Sequence, residues 1–210
     1  MKITIVYDNE ARKVRLRQGH GFSALIENTG VSSLLFDTGA DGPALLHNMR
    51  ELNINPQDIS VIVISHVHGD HTGGLTEILG INRIAELYLP SSLKRAFPGR
   101  KVTMVKGPVQ IRENIFSTGE LEEVEQSLAL KTNKGIFVLT GCAHPGMESV
   151  LAAAAKFGEL YGIAGGFHKF EAFRGLSLIC PCHCTMYKQE IRDLFKDATS
   201  ECGSGLVIEL

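Results

Sequence analysis

Short apolar, β-branched runs recur along the chain, each bounded by glycine, asparagine or charged positions, and segments of helical period separate them. Residues 2–7 alternate like a half-buried strand and end at Asp8-Asn9; a charged connection, 10–17, follows. The pattern predicts strands over 22–28 and 32–36 joined by a turn at Thr29-Gly30, with Asp37-Thr38-Gly39 closing the second. Residues 42–52 have helical period, with Leu45, Leu46 and Met49 on one face. The run Ser60-Val61-Ile62-Val63-Ile64 is continuous in apolar character and reads as a buried strand, followed by a helix over about 72–79. Further strands are predicted at 86–90, 102–105, 109–111 and 114–118, with a helical turn at 93–97. A hairpin pairs 127–132 with 135–140 around Asn133-Lys134-Gly135, and a helix follows over about 146–157. The remaining strands are 160–164, 177–180 (stopped by Pro181) and 205–209, with a helix over 185–196.

This order contains an internal echo. Strand 61–65 runs into a histidine loop and then a helix, and strand 136–140 does the same through Gly141-Cys142-Ala143-His144-Pro145-Gly146. Strands alternating with helices predict an α/β layer fold. With no linker or low-complexity stretch in the chain, a single domain over 1–210 is expected.

Ser65-His66-Val67-His68-Gly69-Asp70-His71-Thr72-Gly73-Gly74 carries the chemistry. It follows a buried strand, where open α/β sheets place their sites. His66 and His68, two apart in extended backbone, project the same way and can grip one metal ion. Asp70 and His71 sit at the start of the next helix and can face a second ion. Imidazole and carboxylate together suit zinc, iron or manganese.

This motif resembles that of the metallo-β-lactamase superfamily of metal-dependent hydrolases. The resemblance implies a four-layer αββα sandwich with one site where the strand ends meet. It also implies that His144 completes a first ligand set with His66 and His68, and that His183, in Cys180-Pro181-Cys182-His183-Cys184-Thr185, completes a second with Asp70 and His71. Two divalent ions are then expected, zinc first, with manganese or iron as alternatives. Asp37 would lie beneath the histidine loop and orient it. The superfamily's usual aspartate bridging the two ions is absent: the corresponding segment is Ile163-Ala164-Gly165-Gly166-Phe167-His168, and no aspartate occurs between Asp70 and Asp193. His168 is open between ligand, general acid and bystander. Gly19-His20-Gly21, Thr118-Gly119-Glu120, Gly165-Gly166-Phe167-His168, Pro181-Cys182-His183-Cys184 and the C-terminal Val207-Ile208-Glu209-Leu210 occur together with the motifs above. This set is similar to the branch of 7,8-dihydropterin-6-methyl-4-(β-D-ribofuranosyl)aminobenzene-5′-phosphate synthase-like proteins.

Composition narrows the partners. At 44% hydrophobic and 21% charged residues the balance is globular, and a net charge of −2 supplies no bulk field for nucleic acid or an anionic membrane. No apolar run nears the roughly 18 residues of a membrane span, and the N-terminus lacks a signal-peptide core, so a cytoplasmic location is expected. Five cysteines argue against a disulfide framework, and Cys142 and Cys202 are expected as free thiols. Cys180, Cys182 and Cys184 read as small apolar residues, with capture of a soft metal as the other reading; the role of Cys142, two residues before His144, is open. The expected function is hydrolysis of a small ester, lactone, amide or phosphate-containing molecule by a metal-activated hydroxide. Asp70, His168 and His20 are the candidate catalytic groups. The alternatives are group transfer in pterin biosynthesis and a metal-binding protein without catalysis.

Overall fold

The structure is a computed structural model that describes residues 1–28, 31–169 and 175–210. The turn expected at Thr29-Gly30 lies outside the described residues. Among the described residues thirteen strands form two mixed sheets. In the first, β1 (Lys2–Tyr7), β2 (Ser23–Asn28), β3 (Val31–Phe36), β4 (Ile59–Val63), β5 (Glu86–Pro90), β6 (Val102–Val105) and β13 (Val207–Glu209) take the order β13-β1-β2-β3-β4-β5-β6. In the second, β7 (Val109–Arg112), β8 (Ile115–Ser117), β9 (Leu128–Thr132), β10 (Gly135–Thr140), β11 (Leu160–Gly166) and β12 (Leu178–Cys182) take the order β12-β11-β10-β9-β8-β7. Helices α1 (Gly42–Glu51), α2 (Gly69–Thr72) and α3 (Leu75–Ile81) follow strands of the first sheet, and α4 (Met147–Ala154) and α5 (Lys188–Leu194) those of the second.

Side-chain alternation sorts the apolar residues into three cores. Phe36, Val61 and Val63 meet Phe137, Leu139 and Ala164 between the sheets. Leu35, Ile62 and Ile64 point the other way, against Leu45 and Met49 of α1 and Leu75 and Ile78 of α3. Ile136 and Val138 likewise pack against Met147, Val150 and Ala154 of α4 and Ile191 of α5. Strands buried on both faces read as continuous apolar runs, which is why β4 shows no alternation in sequence. The expected αββα sandwich is the architecture observed. Each sheet ends in parallel strands, β3-β4-β5-β6 in one and β10-β11-β12 in the other. The C-terminal ends of these strands carry the histidines.

Several local expectations are corrected. The helix over 72–79 is two helices broken at Gly73-Gly74. A Cβ at either glycine would strike the backbone of the 38–40 loop, so this crossing requires glycine. Residues 93–97 are not helical, and the last helix begins at Lys188 rather than at 185. Pro181 does not stop β12 but lies within it, paired with Gly165. β12 is the sheet's edge, where a missing N–H costs no ladder bond. No helix among the described residues is long and apolar enough to cross a membrane.

The expectation for Cys202 is also corrected, since it forms a disulfide with Cys182 across a sequence separation of 20. The segment after α5 is drawn back along the connection after β1 by Arg12 N–H to Ser204 O and Ser204 N–H to Glu10 O, and along β1 itself by Gly205 N–H to Ile5 O. It delivers Cys202 to the end of β12. Their Cα atoms lie 5.2 Å apart, inside the bridging range. Cys142, Cys180 and Cys184 are free. Burial pushes the Cys180 thiol up to about 12, against the opposing hydrogen bond of Ser200. Thiol titration of the denatured, unreduced protein should therefore find three of the five cysteines. In the native protein near pH ~8, Cys180 should resist alkylation because only the thiolate reacts. Five reactive thiols without reductant would exclude the bridge.

Candidate metal centre

The C-terminal ends of the parallel strands turn sharply. Asp37 after β3, Ala143 after β10, His168 after β11 and His183 after β12 all have positive φ (58°, 54°, 42° for the last and 41° for His168). Non-glycine residues in this region cost of order 1–3 kcal/mol each and persist where surrounding structure holds them. At Ala143 and His183 buried carboxylates do the holding, Glu125 taking the Ala143 N–H and Asp8 the His183 N–H.

Asp37 is fully buried. Its Oδ1 accepts from Ser65 N–H at 2.7 Å, and its Oδ2 accepts from Ser65 Oγ and His71 Nδ1, each at 2.7 Å. Ser65 Oγ has given its proton to Asp37, so it accepts from His66 Nδ1 at 2.8 Å. One carboxylate thereby orients two histidines and turns each Nε2 into the site. Burial lowers the His71 pKa, but the Asp37 carboxylate overrides it and raises it above the ordinary imidazole value, which makes His71 the positive neighbour of His66 and His183. His66 Nε2 then lies 3.1 Å from His68 Nδ1. Asp37 lies beneath the histidine loop and holds it, as expected.

Glu125 performs the corresponding work in the second sheet, and sequence reasoning missed it. It is buried and accepts from the N–H groups of Cys142 (2.8 Å), Ala143 (3.1 Å) and His144 (3.1 Å), and from His144 Nδ1 (2.9 Å). Burial alone would raise its pKa, but these bonds and the nearby His66 hold it well below the usual carboxylate range. His144 Nε2 is left free. In sequence, Glu125 belongs to the acidic stretch Glu120-Leu121-Glu122-Glu123-Val124-Glu125, which reads as a solvated surface. Its only signal is its place just before β9.

His183 Nδ1 lies 2.9 Å from Asn9 Oδ1, and its N–H donates to Asp8 Oδ2 at 2.9 Å. The Gly21 N–H also points at Nδ1, at 3.1 Å, so the ring is held from outside by Asn9 and Gly21 while Nε2 faces Asp70 Oδ2 at 3.0 Å and His71 Nε2 at 3.3 Å. Asp70 Oδ2 also lies 3.6 Å from His71 Nε2 and 3.2 Å from Nε2 of the exposed His20. Burial raises the Asp70 carboxyl, but His71, His183 and His20 draw it below its ordinary value. Burial and the neighbouring His71 push His183 down to about 3, and burial with the same neighbour pushes His66 down to about 2. Both are therefore neutral donors at pH 7.

The sequence-predicted residues are thus brought together in two adjoining clusters. One ring nitrogen each from His66, His68 and His144 falls within a mutual 4.8 Å, and His71, His183 and Asp70 form the second group beside it. His168 stands off, its ring centroid 4.7 Å from that of His144 but outside the converging donor groups. Imidazole lone pairs aimed at one another across 3.1–3.3 Å repel unless a proton or a cation lies between them. The donor set, several imidazoles with a carboxylate, fits a divalent metal. His20, Asp70 and His183 are a further candidate group at the rim.

A histidine-rich rim at the strand ends of an αββα sandwich, with four of its rings held from outside, fits a protein built to bind divalent metal. The sequence model of the metallo-beta-lactamase superfamily matches residues 16–144, and the chain belongs to that superfamily. It is 28% identical over 263 aligned positions to the 7,8-dihydropterin-6-methyl-4-(beta-D-ribofuranosyl)-aminobenzene-5'-phosphate synthase of Methanocaldococcus jannaschii, covering 90% of each chain. Among solved structures it resembles Tm1679, described as a metal-dependent hydrolase of the beta-lactamase superfamily, with TM-score 0.77, 24% identity and coverage of 100% and 99%. It also resembles the metallo-beta-lactamase fold protein YhfI from Bacillus subtilis, with TM-score 0.72, 15% identity and coverage of 100% and 98%. The two structural likenesses bear on the fold.

Glu125→Ala should be strongly destabilising, because it leaves three buried N–H groups and one imidazole N–H without an acceptor. Removing one partner of a buried charged network costs about 3–5 kcal/mol. Urea unfolding of metal-free protein measures this, and a loss below about 1 kcal/mol would contradict the role given to Glu125.

Proposed function

We propose that this chain is a metal-dependent hydrolase of a small ester, lactone, amide or phosphate-containing molecule. The observation that carries the reading is the outward anchoring of four histidines. Nδ1 of His66, His71 and His144 lies against Ser65, Asp37 and Glu125, and Nδ1 of His183 against Asn9 and the Gly21 N–H, so four rings are held from outside with their Nε2 atoms turned inward. Such pre-orientation serves a centre that must hold its ligands rigidly while one position exchanges. His66, His68 and His144 would hold one divalent ion and Asp70, His71 and His183 a second, zinc being the expected metal. Bound ions of this kind make water acidic enough to attack near neutral pH and polarise a carbonyl or phosphoryl oxygen.

The chain's own residues supply the rest. His20, exposed and 3.2 Å from Asp70, stands where it can pass a proton between the site and solvent. His168 lines a cavity of about 210 Å³ with Ala143, His144, Gly146 and Lys169. That volume suits a small substrate rather than a polymer, and the Lys169 ammonium at its wall favours an anionic group such as phosphate. His168 is placed to protonate a leaving group departing into this cavity. We propose a small-molecule substrate, no nucleic-acid or membrane partner, and a cytoplasmic setting.

A second reading is group transfer in pterin biosynthesis. It is favoured by the archaeal synthase, whose match extends over nine-tenths of both chains. Both readings would use the same rim.

The test is turnover by protein loaded separately with zinc, manganese or iron and offered phosphodiesters, lactones and thioesters. Hydrolysis that is lost with chelator and restored by one metal is expected. His66→Ala should lose bound metal together with activity. His168→Ala should retain its metal while kcat falls roughly 10²–10⁴-fold. No hydrolysis with any metal, alongside transfer between a pterin donor and an aminobenzene acceptor, would overturn the first reading in favour of the second. Equal turnover by wild type and the His168 variant would remove that residue from the mechanism.

A further inference from the structure

Three cysteines are free, and two of them face the histidines. Cys142 is buried, with its Sγ 3.2 Å from His71 Nε2. That sulfur belongs to two donor groups at once: with His66 and His71 on one side, and with His183 and Cys184 on the other, each group falling within a mutual 4.8 Å. Cys142 is thus the side chain shared between the two clusters. Its position is set independently of any metal, because the Cys142 N–H is held by Glu125 and the following residue, Ala143, has left-handed backbone.

Cys184 reaches the same place from the opposite strand. At Gly166, the last residue of β11, a Cβ would collide with Cys184 Sγ and with Gly141 O. The space that a side chain at the end of β11 would need is therefore filled by a sulfur from the β12 loop. The consequence is electrostatic. Two divalent ions carry four positive charges, and Asp70 is the only carboxylate among the inner donors of the proposed ligand sets. Asp37 and Glu125 are turned away, each occupied by outer hydrogen bonds. Cations a few ångströms apart at low dielectric need anionic donors between them.

We infer that Cys142 binds as a thiolate ligand shared between the two metal positions, and that Cys184 ligates on the His183 side. Each thiol gives up its proton to solvent as the Sγ–metal bond forms, so metal uptake is accompanied by proton release. This inference deepens the proposed metal centre and rests on it. It also predicts a preference for softer divalent ions, zinc, cadmium or cobalt, over magnesium or manganese.

The test replaces zinc with cobalt(II) and records the absorption spectrum beside a metal count. Wild-type protein is expected to show an intense near-ultraviolet thiolate-to-cobalt charge-transfer band, weakened in Cys184→Ser and largely lost in Cys142→Ser. Affinity for the second ion should fall in Cys142→Ser by more than about 100-fold, beyond the roughly 10–100-fold typical of losing an outer partner. Metal should also protect Cys142 and Cys184, in otherwise wild-type protein, from alkylation. Cobalt bound at full stoichiometry with no charge-transfer band and no protection would overturn the thiolate assignment while leaving the histidine centre standing. Absence of bound cobalt would overturn the metal centre itself. Should Cys142→Ser fail to fold, the wild-type spectrum and alkylation pattern still decide.

Discussion

A buried carboxylate at the end of β3 is the constraint on which the site depends. Asp37 has no exposed surface, and burying its charge is tolerable only because three donors reach it. Each donor belongs to the 65–71 loop. The bond to Ser65 N–H pins the loop to the strand end, the bond to Ser65 Oγ passes order on to His66, and the bond to His71 Nδ1 fixes the far end. Asp37 N–H itself donates to Val63 O, so the carboxylate is rigidly tied to the strand that precedes the loop it organises. Loss of Asp37 would free the loop at three points together.

The second sheet repeats the arrangement with different residues. Where Asp37 gathers the loop after β4, Glu125 gathers the loop after β10, taking three backbone N–H groups and the His144 ring. The two carboxylates are joined across the site, since Glu125 Oε2 lies 3.9 Å from His66 Nδ1. The halves are therefore alike in strategy: a parallel strand ends, the chain turns, and a buried acid from a neighbouring segment captures the turn. The inter-sheet core of Phe36, Val63, Phe137 and Leu139 fixes the separation of the two rims. Each such side chain, fully buried, contributes of order 1.5–3 kcal/mol. Together they offset the backbone strain concentrated at Asp37, Ala143, His168 and His183.

Legibility in the sequence followed the range of the interactions. The β4 run, the spacing of His66, His68, Asp70 and His71, and the echo leading to His144 are local patterns, and the structure brings those residues together. His183 was marked by a motif. Glu125 was hidden because an acid beside Glu122 and Glu123 has the composition of a solvated face; only the fold, which folds that stretch under Cys142, removes it from water. Pro181 was misjudged because a proline stops a central strand but not an edge strand. The Cys182–Cys202 bridge depends on the chain's return past Glu10 and Arg12 and leaves no trace in cysteine spacing.

Glycine at the rim completes the logic. Gly141 and Gly166 lie at the ends of adjacent parallel strands, and Gly166 N–H donates to Gly141 O at 2.9 Å. A Cβ at Gly141 would meet Ser65 Oγ and Glu125 Oε1, and one at Gly166 would meet Cys184 Sγ. The two strand ends carry no side chains because side chains from elsewhere converge on them: the serine that relays Asp37 to His66, the acid that holds His144, and the sulfur nearest His183. Donors from three strand ends can share one small volume only if the backbone beneath them takes up almost none of it. A side chain at Gly141 must displace the outer partners Ser65 and Glu125, and one at Gly166 must displace the Cys184 sulfur. The site is thus vulnerable from beneath as well as from its open face.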